Sequence, residues 1–338
     1  MKKALSISFV YIGLVIGAGF ASGREIFEYF CLPSQTDVSG IVLASTAFGL
    51  LAFITTTLAK KLEVCSFDGF IDKVTPKFSV FVKFFMTAFM FCGFFIMLSA
   101  AGTFFKDTFS LPFGVGVFML AALCFAVFSF DLSGLVAVNT VLVPFMIVGM
   151  ILLCIITTVC GIPVFSYSAV IKHNFLVAAL CYASYNTITA GAVLVPVAKD
   201  APAKSLVISS VVSSAVLGML IFLVWLTLNT RFGIAEESQM PLLEFATLHG
   251  NICELLYALV LFMALCTTAI AHGFGIISKF QFRKKSDRVI TAALLCLFAM
   301  PFAFFGFSDL IANVYSAFGF LGLGWTAAVI YSFFRLKE

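Results

Sequence analysis

The residues of this chain best suited to chemistry lie between Tyr11 and Glu25, in the run YIGLVIGAGFASGRE. Its glycines are Gly13, Gly17, Gly19 and Gly23. Each weakens a helix by roughly 1 kcal/mol relative to alanine, yet the run belongs to the first strongly apolar segment. Unwound backbone is tolerated at membrane depth only where it lines a cavity or is buried in protein. The run therefore predicts a broken membrane helix, which is the best sequence indication of a transport site.

The two ends of such a break favour opposite charges. The N–H end is partially positive and suits a carboxylate, whereas the carbonyl end suits a cation. The predicted substrate-binding residues of this segment are those whose small side chains or free N–H groups face the ligand: Gly17, Gly19, Phe20, Ala21 and Ser22. The alternative is a pair of Gly-x-x-x-Gly packing motifs. Packing alone requires neither this glycine density nor the Arg-Glu pair that follows, so the break is favoured.

A second candidate site lies in the eighth apolar segment, at Ala264, Thr267 and Thr268. Residues i, i+3 and i+4 share one helical face. Two hydroxyls and a carbonyl on that face suit a small hard cation that prefers oxygen ligands. The alternative is that both threonines bond the carbonyls of their own helix, which is common in membranes.

The charged residues Arg24, Glu25 and Glu28 lie on the outer half of the first segment. Ionisable residues inside a membrane are costly and commonly functional. Arg24 and Glu28 are spaced to pair along a helix, as expected of an outer gate. Glu25 is in addition a candidate proton acceptor or a partner for a substrate amine.

A polar run, CYASYNTITAG, interrupts the sixth apolar segment near its middle. It predicts a second broken helix, with Tyr182, Tyr185 and Asn186 forming the wall of the substrate pocket. His272 lies about one turn beyond Thr268 and is either a hydrogen-bonded bundle residue or a proton relay.

The composition requires a membrane. The chain of 338 residues is 62% hydrophobic and 11% charged, with a mean hydropathy of +1.15. Soluble domains have roughly 25% charged residues. Long continuous apolar runs favour helices over a membrane barrel. The net charge of +4 does not indicate nucleic acid binding, because the basic residues flank membrane segments. The ten cysteines contain no C-x-x-C and are expected to be packing residues.

The pattern predicts an all-α membrane protein with ten spans. They are 4–31, 38–59, 79–105, 112–130, 134–160, 174–198, 205–229, 252–279, 287–304 and 308–334. With the N-terminus inside, fifteen basic residues fall in inner segments and three (Lys106, Lys172 and Arg231) in outer loops. This bias predicts that both termini are cytoplasmic.

Ten spans divide into five plus five within a single membrane domain, 1–338. An odd number per half requires opposite orientations, so repeat one (4–160) and repeat two (174–334) form an inverted repeat around a hinge at 161–173. Span 6 then mirrors span 1, in agreement with the break predicted there.

These features together resemble the LeuT-like fold of the amino acid–polyamine–organocation superfamily. Within it, the run GAGFASGRE is similar to the YkvI-like family of predicted bacterial membrane transporters. The resemblance implies one sodium between spans 1 and 8. Its ligands would be the carbonyls of Gly13, Ile16 and Ala264 and the hydroxyls of Thr267 and Thr268. Span 5 lacks the lysine that replaces this sodium in proton-coupled relatives. Leu14 occupies the position of an asparagine that serves a second sodium, so one ion is expected.

The sequence lacks the phosphate-binding loop, the His-Glu-x-x-His motif and the Gly-x-Ser-x-Gly motif, so no enzyme is predicted. We predict a secondary active transporter of the bacterial cytoplasmic membrane, which couples sodium to an amino acid or similar small zwitterion by alternating access. Sodium is the coupling ion, no other cofactor is expected, and the partners are the solute and the lipid bilayer. The alternatives are a solute receptor or sensor on the same scaffold, and proton coupling.

Overall fold

The computed structural model describes residues 2–32, 37–129, 135–160, 174–280, 282 and 284–335. These residues form an all-α structure. The helices are α1 (Lys2–Val15), α2 (Ala18–Ser22), α3 (Arg24–Ile26), α4 (Ser39–Lys61), α5 (Phe67–Val74), α6 (Ser79–Phe109), α7 (Phe113–Ser129), α8 (Leu135–Cys160), α9 (Phe175–Lys199), α10 (Ala203–Thr230), α11 (Phe232–Glu237), α12 (Pro241–Thr247), α13 (Asn251–Ile277), α14 (Lys285–Ala299), α15 (Phe307–Leu310) and α16 (Ser316–Arg335). The π-helical segments are Phe27–Cys31 and Ile311–Tyr315, and the 3₁₀ segments are Pro76–Phe78 and Met300–Phe305.

Eight helical segments of the described ranges are long and apolar enough to cross a membrane. Two shorter apolar helices, Lys3–Val15 and Phe113–Ser129, accompany them. Large apolar side chains cover the outside of the bundle, with Val80, Phe84 and Ile252 each more than 70% exposed. Such a surface is stable against lipid and not against water. The chain is therefore an all-α membrane protein.

The first segment lies inside the bundle. Helix α1 packs against α8, α9, α10 and α13, and α2 packs against α12 and α13. Every residue of α2 is buried. A helix that is apolar all round is stable only where it is surrounded, which explains why the glycine-rich run is central.

The break predicted in span 6 is wrong. Helix α9 runs without interruption from Phe175 to Lys199. Its polar side chains bond carbonyls of their own helix: Asn186 Nδ2 donates to Tyr182 O at 3.0 Å, and the Thr187 hydroxyl to Ala183 O at 2.7 Å. Because these groups are satisfied along the helix, they neither break it nor free its backbone.

Basic side chains meet at one end of the bundle. Lys3 Nζ donates to Asp200 O, Lys60 Nζ donates to Ala201 O at 2.5 Å, and Lys279 pairs with Asp68 at 3.1 Å. These contacts join segments that the sequence assigns to the inner side. The hinge predicted at 161–173 lies outside the described residues.

Candidate functional site

The first segment is interrupted at Ile16 and Gly17. Helix α1 ends at Val15, Gly17 is extended with φ −86° and ψ −175°, and α2 begins at Ala18. The Gly17 N–H donates to Val15 O at 2.8 Å, and not to Gly13 O four residues back. The Gly13 carbonyl thereby loses the helical donor that it has in a regular helix.

Two features hold the short helix α2 in place. Tyr257 of α13 donates its buried hydroxyl to Ala21 O at 2.6 Å. Gly23 ends the helix in the left-handed region, with φ +85°, where glycine alone is unstrained. A Cβ at Gly23 would also lie 2.9 Å from Leu242 Cγ. The interruption is therefore built into the packing.

Thr268 of α13 lies directly against the break. Its Oγ1 is 3.1 Å from the position that a Cβ on Gly17 would take. This oxygen is buried and has no hydrogen-bond partner among the described residues. An unpartnered buried hydroxyl costs about 1–3 kcal/mol, which a bound ligand would remove.

The neighbouring Thr267 is hydrogen-bonded within its own helix. Its hydroxyl donates to Met263 O at 3.0 Å and to Ala264 O at 3.2 Å. A hydroxyl that donates its hydrogen still has oxygen lone pairs to offer a cation. The donors near the break are thus neutral oxygens, a set that suits an alkali-metal ion better than a soft transition metal.

The N–H end of the break differs in detail from the predicted set. The Ala21 N–H donates to Gly17 O at 2.8 Å, so it is already part of the helix. The N–H groups of Ala18, Gly19 and Phe20 have no preceding helical turn whose carbonyls could accept their hydrogen bonds. An anion approaching α2 would meet these three N–H groups, and Ser22 lies one turn beyond them.

Glu25 turns back toward the start of α2. The Tyr185 hydroxyl of α9 donates to Glu25 Oε2 at 2.9 Å. The other oxygen, Oε1, lies 2.1 Å from the position that a Cβ on Gly19 would occupy. The bare Gly19 backbone thus makes the room that this buried carboxyl group needs.

A narrow cavity connects these groups, with space close to that which a single water molecule needs. Its walls combine the break, polar side chains and aromatic rings. They are Leu14, Val15, Gly17, Glu25, Phe89, Met97, Tyr185, Asn186, Thr189, Thr268, His272 and Tyr315. The rings of Phe89, Tyr185 and Tyr315 lie 4.9–6.2 Å apart, centroid to centroid, and close the space. In this conformation the cavity has room for little more than one water molecule.

Beside the cavity, Arg24 joins the first segment to α11 and the loop that follows it. It pairs with Glu28 at 2.5 Å, which confirms the predicted ion pair. Its Nη1 also donates to Glu236 O and Ser238 O, each at 3.1 Å. These bonds tie the end of the first segment to α11.

The structure brings five of the sixteen predicted site residues together in one cavity. Gly17, Glu25, Tyr185, Asn186 and Thr268 share the cavity. Tyr182 is buried behind it, with its ring 5.5 Å from that of Tyr185. Arg24 and Glu28 lie outside it. The predicted residues that do not line it also include Gly13, Ile16, Gly19, Phe20, Ala21, Ser22, Ala264 and Thr267.

Sequence reasoning missed Phe89, Tyr315 and Tyr257. No local pattern marks them among 43 phenylalanines and 8 tyrosines. His272 does reach the cavity, where its Nδ1 lies 2.9 Å from Thr268 O and its ring packs on Gly93. The missing side chain of Gly93 leaves room for the His272 ring in the cavity wall. This pairing of a glycine with a histidine is visible only in the structure.

Comparison with other proteins supports the fold. No family profile matches the chain. The Uncharacterized membrane protein YkvI of Bacillus subtilis (strain 168) is 26% identical over 345 residues, covering 97% of this chain and 95% of that protein. The Uncharacterized protein YyaD of the same strain is 26% identical over 328 residues, covering 92% and 91%.

Solved structures show the same architecture at low identity. MhsT in complex with L-phenylalanine superimposes with a TM-score of 0.69 at 14% identity, covering 96% of this chain and 87% of that one. A mutant of the Eremococcus coleocola manganese transporter gives 0.68 at 13%, covering 96% and 78%. A Na⁺-coupled sialic acid symporter gives 0.68 at 13%, covering 98% and 79%. This chain therefore has the LeuT-like fold that these transporters share.

Proposed function

We propose that this protein is a secondary active transporter that moves an amino acid or similar small zwitterion together with sodium. The observation that carries the proposal is the position of Thr268. Its buried oxygen has no hydrogen-bond partner among the described residues, and it faces a helix break at which the Gly13 carbonyl has lost its helical donor. Fold alone does not assign a substrate, whereas these groups are specific to the site.

The sodium would lie between the end of α1 and the middle of α13. Carbonyl ligands from Gly13, Ile16 and Ala264 and hydroxyl ligands from Thr267 and Thr268 would surround it. All five are neutral oxygen donors, in line with the preference of hard cations. The Na⁺-coupled symporter among the similar structures supports sodium as the ion. The ligand positions are those that the resemblance in the sequence implies.

The solute would lie in the cavity beside the ion. Its carboxylate would meet the N–H groups at the start of α2, and its ammonium the freed carbonyls and Glu25. Asn186 and the rings of Tyr185 and Tyr315 would form the walls. One similar structure binds L-phenylalanine, which suits an aromatic pocket of this kind. For a solute to fit, the rings must separate, because they are in contact here.

The architecture expected of such a transporter is ten spans in a five-plus-five inverted repeat. The eight long helices and the two short ones, α1 with α2 and α7, would supply the ten. The first segment would rock with part of the bundle to open one side and then the other. Both termini would be cytoplasmic, in the bacterial cytoplasmic membrane.

Sodium entry supplies the energy that concentrates the solute. One positive charge moving down a potential gains about 2.3 kcal/mol per 100 mV, which corresponds to roughly fifty-fold accumulation when no proton moves in the opposite direction. Binding of ion and solute must also favour each other for transport to be coupled.

A thermal-shift screen of amino acids, with sodium or with choline, tests the proposal. A ligand at a hundred times its dissociation constant stabilises the folded protein by about 2.7 kcal/mol. We expect a solute whose stabilisation requires sodium, and we expect Thr268→Ala to abolish that requirement. Thr46→Ala is the matched control, because Thr46 is exposed to lipid and bonds only its own helix.

Counterflow in liposomes separates a transporter from a sensor. A transporter exchanges labelled solute across the membrane when unlabelled solute is loaded inside. Solute that binds with sodium yet shows no counterflow would make the protein a receptor and contradict the proposal.

A further inference from the structure

Glu25 is a carboxyl group enclosed within the bundle without a cation. It is 4% exposed, with Oε2 bonded to the Tyr185 hydroxyl and Oε1 packed on Gly19. Among the described residues, no Lys, Arg or His nitrogen lies within 4.0 Å of its oxygens. Arg24, its neighbour in the chain, is engaged by Glu28 and by carbonyls of the outer loop.

The groups that face Glu25 from the surrounding elements are hydroxyls and one imidazole. Helix α9 presents Tyr182 and Tyr185, and the two π-helical segments present Tyr29 and Tyr315. Helix α13 presents His272, which lines the same cavity and bonds Thr268 O through Nδ1. Helix α6 contributes the ring of Phe89. Helices α10 and α12 contribute Leu228 and Leu242 beside Gly23.

We propose that the Glu25 carboxyl is an exchangeable proton site of the cavity, and that a cation entering beside Thr268 displaces its proton. The displacement of the proton by a cation rests on the function proposed above. In the exchange, the O–H bond of the carboxyl breaks, the electron pair stays on the Glu25 oxygen, and the proton leaves to water on the open side.

The physical reason is charge balance within one small space. A buried carboxylate without a counter-ion is strongly unfavourable, and a proton removes that cost. Thr268 and Glu25 line the same cavity, so a cation at the first is close enough to stabilise negative charge at the second. Proton and cation therefore compete through electrostatics, although they bind different atoms.

The exchange explains why the cation binds before the solute. Once the cation is in place, Glu25 is left as a carboxylate that can receive the ammonium of a solute. The site for the solute's positive charge is thus created by the ion, and the solute binds after it.

Infrared difference spectroscopy of the purified protein tests the proton site. We expect a carboxylic-acid C=O band that Glu25→Gln removes and that Glu237→Gln, at an exposed carboxyl, leaves unchanged. Tyr185→Phe should shift the band rather than remove it, because the hydroxyl bonds Oε2. This variant retains the carboxyl if Glu25→Gln fails to fold. Absence of the band from the wild-type protein would overturn the proposal. A band that survives Glu25→Gln would do the same, as would a band that Tyr185→Phe leaves unshifted.

Sodium addition tests the exchange. In weakly buffered solution, sodium chloride should release about one proton per chain, the capacity of a single carboxyl, while choline chloride releases none. The infrared band should disappear in parallel, and Thr268→Ala should abolish both effects. If radioactive sodium binds and the band persists, the exchange is wrong although the sodium site stands. If sodium does not bind at all, the sodium site and the exchange both fail, while the band alone still decides whether Glu25 holds a proton.

Discussion

At the scale of single residues, the site depends on glycines that leave room for side chains from elsewhere. Gly17 faces Thr268 and Gly19 faces Glu25. Any larger residue at either position would occupy the space in which ion, proton and solute are proposed to meet. The glycine density thus serves close approach as well as the interruption of the helix.

Replacing Gly19 with alanine tests this use of space. The new Cβ would lie 2.1 Å from Glu25 Oε1, so the carboxyl must leave its position and the Tyr185 bond must break. We expect the free energy of unfolding to fall by about 1–3 kcal/mol, as it does when a filled core is overpacked. Thermal unfolding in detergent measures it. Gly233→Ala is the control, because nothing lies within 4 Å of its added methyl. Equal unfolding temperatures for the two variants would contradict the packing described here.

Removing the Tyr257 hydroxyl tests the anchor of α2. Tyr257→Phe leaves the buried Ala21 carbonyl without its 2.6 Å partner, which should cost about 1–3 kcal/mol. Because α2 forms one side of the break, sodium-dependent stabilisation should weaken as well. Tyr331→Phe, on an exposed side chain, should change neither quantity. A Tyr257→Phe protein with wild-type stability would show that the hydrogen bond does not hold α2.

Short-range spacing predicted some of these residue contacts and missed others. The Arg24–Glu28 pair follows from helical periodicity, because its partners are four residues apart. The Glu25–Tyr185 bond joins residues 160 positions apart, and nothing in either local sequence indicates it. The sequence marked Glu25 as important but could not name its partner.

At the scale of helices, two polar interruptions of similar appearance have different outcomes. Glycine weakens the helix of span 1 because it loses more backbone conformational entropy than other residues, and the helix stops at Val15 and resumes at Ala18. In span 6, Asn186 and Thr187 carry hydroxyl and amide groups that bond the turn before them, and α9 continues. Composition alone treats both as helix-breaking. The distinction lies in whether the side chains can satisfy themselves along the helix.

Removing the contacts of Arg24 with Glu28 and α11 tests its role. Arg24→Gln removes the Glu28 pair and weakens the bonds to Glu236 O and Ser238 O. We expect faster hydrogen–deuterium exchange in residues 232–238, since local opening becomes easier. Lys83→Gln removes a different ion pair, with Asp72, and should leave that segment unchanged. Unaltered exchange in Arg24→Gln would mean that the loop is held by other contacts.

At the scale of the whole molecule, hydropathy predicted most of the membrane segments. Eight of the expected spans are present as long apolar helices, because a continuous apolar run of sufficient length is a direct physical requirement of the bilayer. The LeuT-like packing of those helices was predicted from the resemblance to a known family. No property of a single segment determines which helices become neighbours, such as α4 against α9.

Orientation is a prediction about the whole chain. The basic contacts at Lys3, Lys60 and Lys279 lie on segments expected inside. Green fluorescent protein fused after Glu338 should therefore fluoresce, and alkaline phosphatase inserted in the 231–240 region should be active. Fluorescence from a fusion within 231–240 would show that this segment is cytoplasmic and that the predicted topology is inverted.

The binding of radioactive sodium to the purified protein tests the central claim most directly, namely that the interruption of the first segment forms an ion site with α13. We expect saturable binding in the wild type and in Thr46→Ala, and its loss in Thr268→Ala. Sodium binding that is absent from the wild type, or undiminished in Thr268→Ala, would contradict that claim.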